Sequence, residues 1–170
     1  MKKTIKRGLA VLMYNNLSAL SFNEMSLELM GKAFNNLDAL GEVAEKSRKL
    51  LEEMKKRLME GIDESEAKAY NKAVESEESD EEVKSKYPKL YCVAEKLNSL
   101  NEVLIAKDVE IDIVPMEKNA FRLAIMKANK SVKAGLFALF TPLYLDEKKE
   151  EKEEKAEKAE DFSELDELMK

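Results

Sequence analysis

A single apolar stripe between Met30 and Ile62 constrains this chain more than any other sequence feature. Its members recur at alternating steps of three and four residues, which places them along one side of an α-helix. They are Met30, Ala33, Leu37, Leu40, Ala44, Ser47, Leu51, Met54 and Leu58. We expect a helix from about residue 22 to about residue 61 that packs against other helices, because the apolar face is broader than a two-stranded contact requires.

The same predicted helix contains two glycines, Gly31 and Gly41. Each costs about 1 kcal/mol relative to alanine inside a helix. The pair therefore indicates either a close approach of another backbone to the segment between them or simple tolerance of glycine within a long helix.

Two further helices are predicted on either side of this one. Apolar residues at helical spacing predict a first helix over 4–20, and Ser21 followed by Glu24 predicts a capping box that begins the long helix. Pro88 suits the first turn of a helix, and the apolar spacing after it predicts a helix over 88–106. This last helix is expected to be the antiparallel partner of the long one.

The hydrophobic period changes to two in the segment 108–114, which predicts a short strand with one apolar and one acidic face. Asp108, Glu110 and Asp112 share the acidic face. Closely spaced carboxylates can bind a hard cation, but a solvated acidic face needs none. We therefore predict no metal and no other cofactor.

The most apolar part of the chain is Leu136–Leu145, and the segment Val132–Phe140 is expected to be helical with Ser131 as its cap. The run is too short to span a bilayer, which needs about 20 residues. We predict that it belongs to the core. The alternative is a partner-binding surface in which Phe137 and Phe140 are contacts.

Two segments are rich in charge and poor in apolar residues. Residues 63–86 are acidic and serine-rich, which predicts an exposed connector with at most one or two helical turns. Residues 146–170 hold 12 acids and six lysines, so they carry the whole net charge of −6 and leave a neutral body over 1–145. We expect this tail to be disordered or a single solvated helix.

The end of the tail departs from this composition. The apolar residues at this end are Phe162, Leu165, Leu168 and Met169. Leu165 follows Phe162 by three residues, and Leu168 and Met169 follow Leu165 by three and four residues. Acidic residues occupy most of the positions between them. Such a pattern is typical of a short motif that folds into a groove on a partner. The alternative is a frayed acidic terminus.

The predicted fold is therefore mainly α. It consists of a long helical hairpin, a short β-strand and a short C-terminal helical segment in residues 1–145, followed by the charged tail.

Motifs for catalysis are missing from the sequence, so we expect no enzyme. The chain has no histidine, no glycine-rich phosphate loop and no cysteine pair. The one cysteine, Cys92, falls within a helical apolar pattern and is predicted to be a small buried thiol. A disulfide framework is thus impossible within one chain, which fits a reducing cytoplasm. The neutral body argues against nucleic-acid binding, and no membrane association is expected.

The order of four segments carries a resemblance to a known group of proteins. LMGKAFNNLDAL leads into the charged helix, and YPKLYCVAEKLNSL, VEIDIV and LFALFTPLY follow. Over about residues 5–145 this order resembles short uncharacterised phage and prophage proteins, from which the acidic insert 63–86 and the tail depart. The resemblance implies a small phage-encoded accessory protein that acts by binding, in the host cytoplasm or in the virion, and it implies no active site.

We therefore expect a non-catalytic protein–protein interaction protein, most simply a virion structural or assembly accessory. Its partner would be another phage protein or a second copy in a homo-oligomer, because the predicted third helix covers only about half of the long one. The alternative is a small inhibitor or sponge that binds a host protein, another host factor or a small ligand. The candidate contact residues are Met54, Leu58, Phe137, Phe140, Phe162, Leu165 and Leu168.

Overall fold

The computed structural model describes residues 1–76, 79–133 and 135–145, and helices dominate it. The mainly α fold predicted from the sequence is confirmed. The α-helices are α1 Arg7–Ser18, α2 Leu27–Leu58, α3 Glu64–Glu75, α4 Asp80–Lys86, α5 Pro88–Ala106, α6 Lys118–Ala128 and α7 Leu136–Leu139, with a 3₁₀ turn at Thr141–Leu143. The strands are β1 Lys2–Lys6 and β2 Asp108–Asp112.

Both helices of the expected hairpin are present. Helix α5 has the predicted bounds and carries Pro88 at its start. Helix α2 begins five residues later than predicted, because the hydroxyl of Ser26 accepts the N–H of Leu29 at 3.3 Å and so caps the helix. The capping box predicted at Ser21 is wrong. The Ser21 backbone instead pairs with the amide of Asn129, through two hydrogen bonds of 3.0 Å.

The N-terminal residues form a strand, so the prediction of a helix from residue 4 is wrong. Strand β1 pairs with β2 in a two-stranded sheet. At one end of the sheet the N–H of Ile113 donates to the carbonyl oxygen of Met1, and at the other end the N–H of Arg7 donates to the carbonyl oxygen of Lys107, both at 2.8 Å. The strands are therefore antiparallel. The missed strand has little sequence signal of its own, and it forms where β2 supplies backbone partners.

Strand β2 has the predicted alternation. Ile111 within the strand and Ile113 just after it are buried. The acidic side chains Asp108, Glu110 and Asp112 are exposed. The predicted acidic face is thus confirmed as a solvent-exposed side of the strand.

Residues 64–75 and 80–86 of the acidic connector are helical, so the prediction of at most one or two helical turns there is wrong. Asp63 caps helix α3, because its carboxylate accepts the N–H of Ser65 at 2.8 Å, and Ser79 caps α4 through a capping box with Glu82. Each helix also buries one apolar side chain, Ala73 in α3 and Val83 in α4. Local capping and one anchor per helix therefore offset an unfavourable composition.

The chain divides into two compact units. The first comprises Met1–Lys3, Asn16–Ala39 and Asp112–Lys170, of which the described part ends at Leu145. The second comprises Thr4–Asn15 and Leu40–Ile111.

The core of the first unit is built around Phe121. Its ring contacts the rings of Phe137, Phe140 and Tyr144, with centroids 6.4, 5.8 and 6.0 Å away. The core position predicted for Leu136–Leu145 is confirmed. Its helix is shorter than expected, because only Leu136–Leu139 is α-helical and Gly135, not Ser131, precedes it.

The core of the second unit lies among α1, the later part of α2 and α3 to α5. Its buried apolar side chains are Ala10, Met13, Leu40, Ala73, Val83, Leu90, Leu104 and Ile111. Early residues of this part of α2 lie near late residues of α5, as Arg48 and Asn101 do, so these two helices are antiparallel. This is the predicted hairpin.

The two glycines of α2 have different surroundings. A Cβ atom on Gly41 would lie 3.1 Å from the ring of Tyr14, whereas one on Gly31 would meet no atom within 4 Å. Close approach therefore explains Gly41, and Gly31 is tolerated in open space.

Candidate functional site

Small residues on α2 open a cavity in the second unit. Gly41, Ala44 and Ser47 lie at helical spacing on the side of α2 that faces α1 and α5, where a leucine would fill the space between the helices. The hydroxyl of Ser47 donates to the carbonyl oxygen of Val43 at 2.7 Å, so this buried polar group is satisfied within its own helix. The resulting cavity has a volume of about 470 Å³.

This cavity continues as a groove between α2 and α5. A middle section of about 270 Å³ shares Arg48, Leu51 and Asn101 with the first section. A far section of about 400 Å³ shares Lys55 and Leu97 with the middle one and extends to α3. We call the three sections together the α2–α5 groove. Its lining runs on α2 from Gly41 to Met59, which is about 27 Å of helix.

The floor of the groove is apolar and its rims are polar. Half-buried Leu51 and Leu97 form the centre of the floor, and Val93 and Ala94 continue it along α5. The charged rim residues belong to α2 and α3, and the rim asparagines belong to α5. The rim residues are Glu45, Arg48, Glu52, Lys55, Glu64, Lys68, Asn98 and Asn101.

Most of the rim charges neutralise one another. The guanidinium of Arg48 donates two hydrogen bonds to the Glu45 carboxylate, at 2.8 and 2.9 Å, and a third to Glu52. These hydrogen bonds from Arg48, with a further one from Lys49, lower the pKa of Glu45 to about 2. A carboxylate held this firmly in its ionised form is a poor proton donor near neutral pH.

Two lysines complete the rim. Lys68 pairs with Glu64 at 2.9 Å. Lys55, which lies where the middle and far sections meet, forms no ion pair with any residue that the structure describes. It is therefore the rim cation that is open to a charged ligand.

The sequence-predicted contact residues lie elsewhere. Met54 and Leu58 are half-buried on α2, and Leu58 borders a separate shallow hollow with Cys92 and Leu100. Phe137 and Phe140 are 5% and 0% exposed because their rings pack on Phe121, so the free chain offers little of either to a partner. Phe162, Leu165 and Leu168 lie outside the described residues.

The burial predicted for Cys92 is wrong, because this side chain is exposed on α5. Its apolar neighbours in sequence turn to the other side of the helix, where Leu90 is buried and Val93 lines the groove.

From the sequence we expected the uncovered part of the α2 stripe to contact a partner at Met54 and Leu58, and the groove itself was not predicted. The available signal was the succession of small side chains at Gly41, Ala44 and Ser47, where the stripe loses volume. The presence of Tyr14 and Asn101 in the lining could not be predicted in this way, because it depends on how α1 and α5 pack beside α2.

Within 1–76, 79–133 and 135–145, no group of three histidine, cysteine, aspartate or glutamate side chains is arranged to hold a metal ion. Asp108 on β2 pairs with Lys6 at 2.8 Å. None of the helices in these ranges combines the length and the apolar character needed to cross a bilayer.

Comparisons with protein-family models, with curated proteins and with solved structures gave no significant match to this chain.

Proposed function

We propose that this chain is a non-catalytic protein-interaction protein whose α2–α5 groove binds an amphipathic helix of a partner. The observation that carries the proposal is the row of three adjoining sections with an apolar floor, around Leu51 and Leu97, between polar rims. Helix-in-groove recognition uses this arrangement, since the apolar side of the ligand helix covers the floor and its charged side meets the rims. The lining also leaves room for several turns of helix, at about 5.4 Å each.

The chemistry of the rims supports a binding role over a catalytic one. The charged side chains Glu45, Arg48 and Glu52 are held in mutual ion pairs, and Glu45 stays ionised. A general acid or base needs a pKa near the working pH, and the pKa of Glu45 is lowered to about 2. The proposed activity is therefore recognition.

The biological setting follows from the sequence resemblance and is part of the proposal. In that setting the chain is a phage-encoded accessory for assembly, in the host cytoplasm or the virion, and the ligand helix belongs to another phage protein. A second copy of the chain is the alternative source of the helix.

The proposal can be tested with a displayed library of amphipathic peptides of about 12 residues, which as helices span about 18 Å. Selected peptides are measured by fluorescence anisotropy against the full chain and two variants on α5. Leu97→Ser removes part of the floor and should weaken binding at least about ten-fold. Val103→Ser is the matched control, because Val103 is 60% exposed and does not line the groove.

Circular dichroism must show that both variants keep the helical content of the parent chain. A library without binders, or binders that Leu97→Ser and Val103→Ser weaken equally, would refute the proposal.

A small ligand is the second candidate, and the first section of the groove favours it. This cavity of about 470 Å³ falls within the range of about 300–1,000 Å³ that small-molecule sites occupy. It combines the Tyr14 ring with the polar groups of Arg48 and Asn101. A thermal-shift screen of planar aromatic compounds tests this role, and Gly41→Val should abolish any stabilisation because the new side chain meets Tyr14. A screen without stabilising compounds contradicts it.

A further inference from the structure

We propose that a second copy of this chain binds along α2, on the side of the helix that faces away from the α2–α5 groove. The two α2 helices run antiparallel about a two-fold axis that passes between Lys49 and Leu50. The inference goes beyond the proposed function, because it assigns a different surface and a different partner. All the residues of this contact lie in the second unit.

The surface is centred on Leu50, which is 38% exposed. Successive residues of a helix are about 100° apart, so Leu50 points about 160° away from Arg48, which lines the groove. One edge of the surface consists of four exposed, charged side chains at helical spacing, and the other edge consists of half-buried Val43 and Met54. The charged side chains are Glu42, Lys46, Glu53 and Arg57. We call this surface the outer face of α2.

The charged edge is complementary to itself when it is read in reverse. From Glu42 to Arg57 its charges follow the order acid, base, acid, base. About the proposed axis, Lys46 lies level with Glu53 of the second copy, and Glu42 lies level with Arg57 of the second copy. Since this two-fold axis places each edge against the same edge of the other copy, every charge on it meets an opposite charge.

A parallel pair of α2 helices would not have this property. Its two-fold axis would run along the helices and would place the charged edge of one copy against Val43 and Met54 of the other. Charged groups would then lose water without gaining a partner, which is unfavourable. The charge pattern therefore favours the antiparallel pair.

An ion pair within each chain becomes part of a larger network in this dimer. Arg57 and Glu53 form an ion pair on α2, and their side chains are 74% and 57% exposed, so both can take further partners. Glu42 and Lys46 of the second copy complete a group of two acids and two bases. Symmetry produces two such groups. Single exposed ion pairs contribute little, whereas a network contributes more.

The apolar part of the outer face is also self-complementary. The two Leu50 residues are offset by about 1.5 Å along the helices, so each side chain covers the other. Val43 of one copy lies about 3 Å along the helix from the level of Met54 of the other. Beside the axis, Lys49 is paired with Glu45 of its own chain at 3.4 Å, which reduces repulsion between the two lysines.

The contact is small and leaves the groove open. It uses one helix of each copy over residues 42–57, which is a rise of about 23 Å. An interface of this size gives a weak dimer, and its ion pairs make the dimer sensitive to salt. Because the groove lies on the other side of α2, the dimer has two open grooves, and a partner with two helices would gain avidity from both.

The first experiment measures self-association of the full chain by analytical ultracentrifugation at low salt. Concentrations reach about 1 mM, because a contact of this size is weak. Lys46→Glu should weaken the dimer about ten-fold, since symmetry turns two attractions into two repulsions. Lys56→Glu is the matched control, because it makes the same charge change at an exposed position of α2 outside the outer face.

A charge exchange tests the pairing itself. Adding Glu53→Lys to Lys46→Glu should restore the dimer to within about three-fold of the parent affinity, because the two charges have changed places. Circular dichroism must show that all variants keep the helical content of the parent chain. A parent chain that stays monomeric, equal effects of Lys46→Glu and Lys56→Glu, or a double variant no tighter than Lys46→Glu overturns the proposal.

The second experiment tests the antiparallel register with disulfides, in a Cys92→Ser background that removes the chain's one cysteine. Leu50→Cys places the two thiols beside the axis, and oxidised glutathione should link the copies. Glu53→Cys is the control, because its two positions lie about 10 Å apart along the helices and a disulfide cannot span them. Equal linking of the two variants, or no linking of Leu50→Cys, overturns the register.

The dimer and the proposed function fail in different ways. Library peptides should bind the Lys46→Glu variant as they bind the parent chain, because Lys46 does not line the groove. A monomeric chain whose groove binds the peptides would overturn the dimer and leave the proposed function standing. A dimer whose groove binds no peptide would do the reverse.

Discussion

The side chain of Asn36 on α2 forms two hydrogen bonds with the backbone of Val114. Its Nδ2 donates to the Val114 carbonyl oxygen and its Oδ1 accepts the Val114 N–H, both at 2.8 Å. Asn36 is 1% exposed. The amide thus pairs with the backbone of the second residue after β2 in the way a neighbouring strand would, inside the first unit.

We expect Asn36→Ala to lower the free energy of unfolding by about 1–3 kcal/mol, because both backbone groups of half-buried Val114 lose their partner. Urea denaturation measures the change. Asn35→Ala is the control on the same helix, since Asn35 is exposed. A loss no larger than that of the control would show that water replaces the amide at Val114.

Leucines of the α2 and α5 stripes should differ in their contribution to stability. Leu40 is fully buried, so Leu40→Ala should cost about 2–5 kcal/mol. Leu51→Ala and Leu97→Ala should cost less, because both side chains border the open groove and are half-buried. Equal losses in chemical denaturation would mean that the groove is closed in solution.

The two α2 glycines provide a matched pair. Gly31→Ala should stabilise the chain by about 0.5–1 kcal/mol, because the methyl group enters open space and alanine favours the helix. Gly41→Ala has the same helical gain but places Cβ 3.1 Å from the Tyr14 ring, so its net stabilisation should be smaller or reversed. Melting temperatures of both variants measure this difference in stability. An equal rise in melting temperature for the two variants would contradict the close contact between Gly41 and Tyr14.

Stability should fall at alkaline pH because of Tyr144. Burial raises the pKa of Tyr144 to about 12, against an ordinary value of 10.0, and its hydroxyl donates to the Phe137 carbonyl oxygen at 3.2 Å. The unfolded chain releases this proton first. The contribution of Tyr144 to stability is therefore constant below about pH 10 and is lost between about pH 10 and pH 12.

Denaturation curves at several pH values test this expectation. Burial also raises the pKa of Tyr70, so the chain must be compared with its Tyr144→Phe variant, which lacks the step due to Tyr144. Parallel pH profiles for the two chains would contradict the prediction.

Local sequence was sufficient for the elements whose side chains repeat with a clear period. The stripe of α2, the Pro88 start of α5 and the alternation in β2 depend on spacing within one segment, and the structure confirms each of them. Composition gave the wrong prediction for α3 and α4. In each helix a capping side chain and one buried apolar side chain stabilise the helical state despite the many acids and serines.

The sequence by itself determined the mainly α class, the strand at Asp108–Asp112, the core position of Leu136–Leu145 and the concentration of negative charge after Leu145. These properties follow from periodicity and charge, which are local. Only the tertiary structure decided that Lys2–Lys6 is a strand, that Asn36 pairs with Val114, and that Gly41, Ala44 and Ser47 border a groove. Each of these depends on which distant segment lies opposite, because hydrogen-bond partners and the volume between helices are properties of the packed chain.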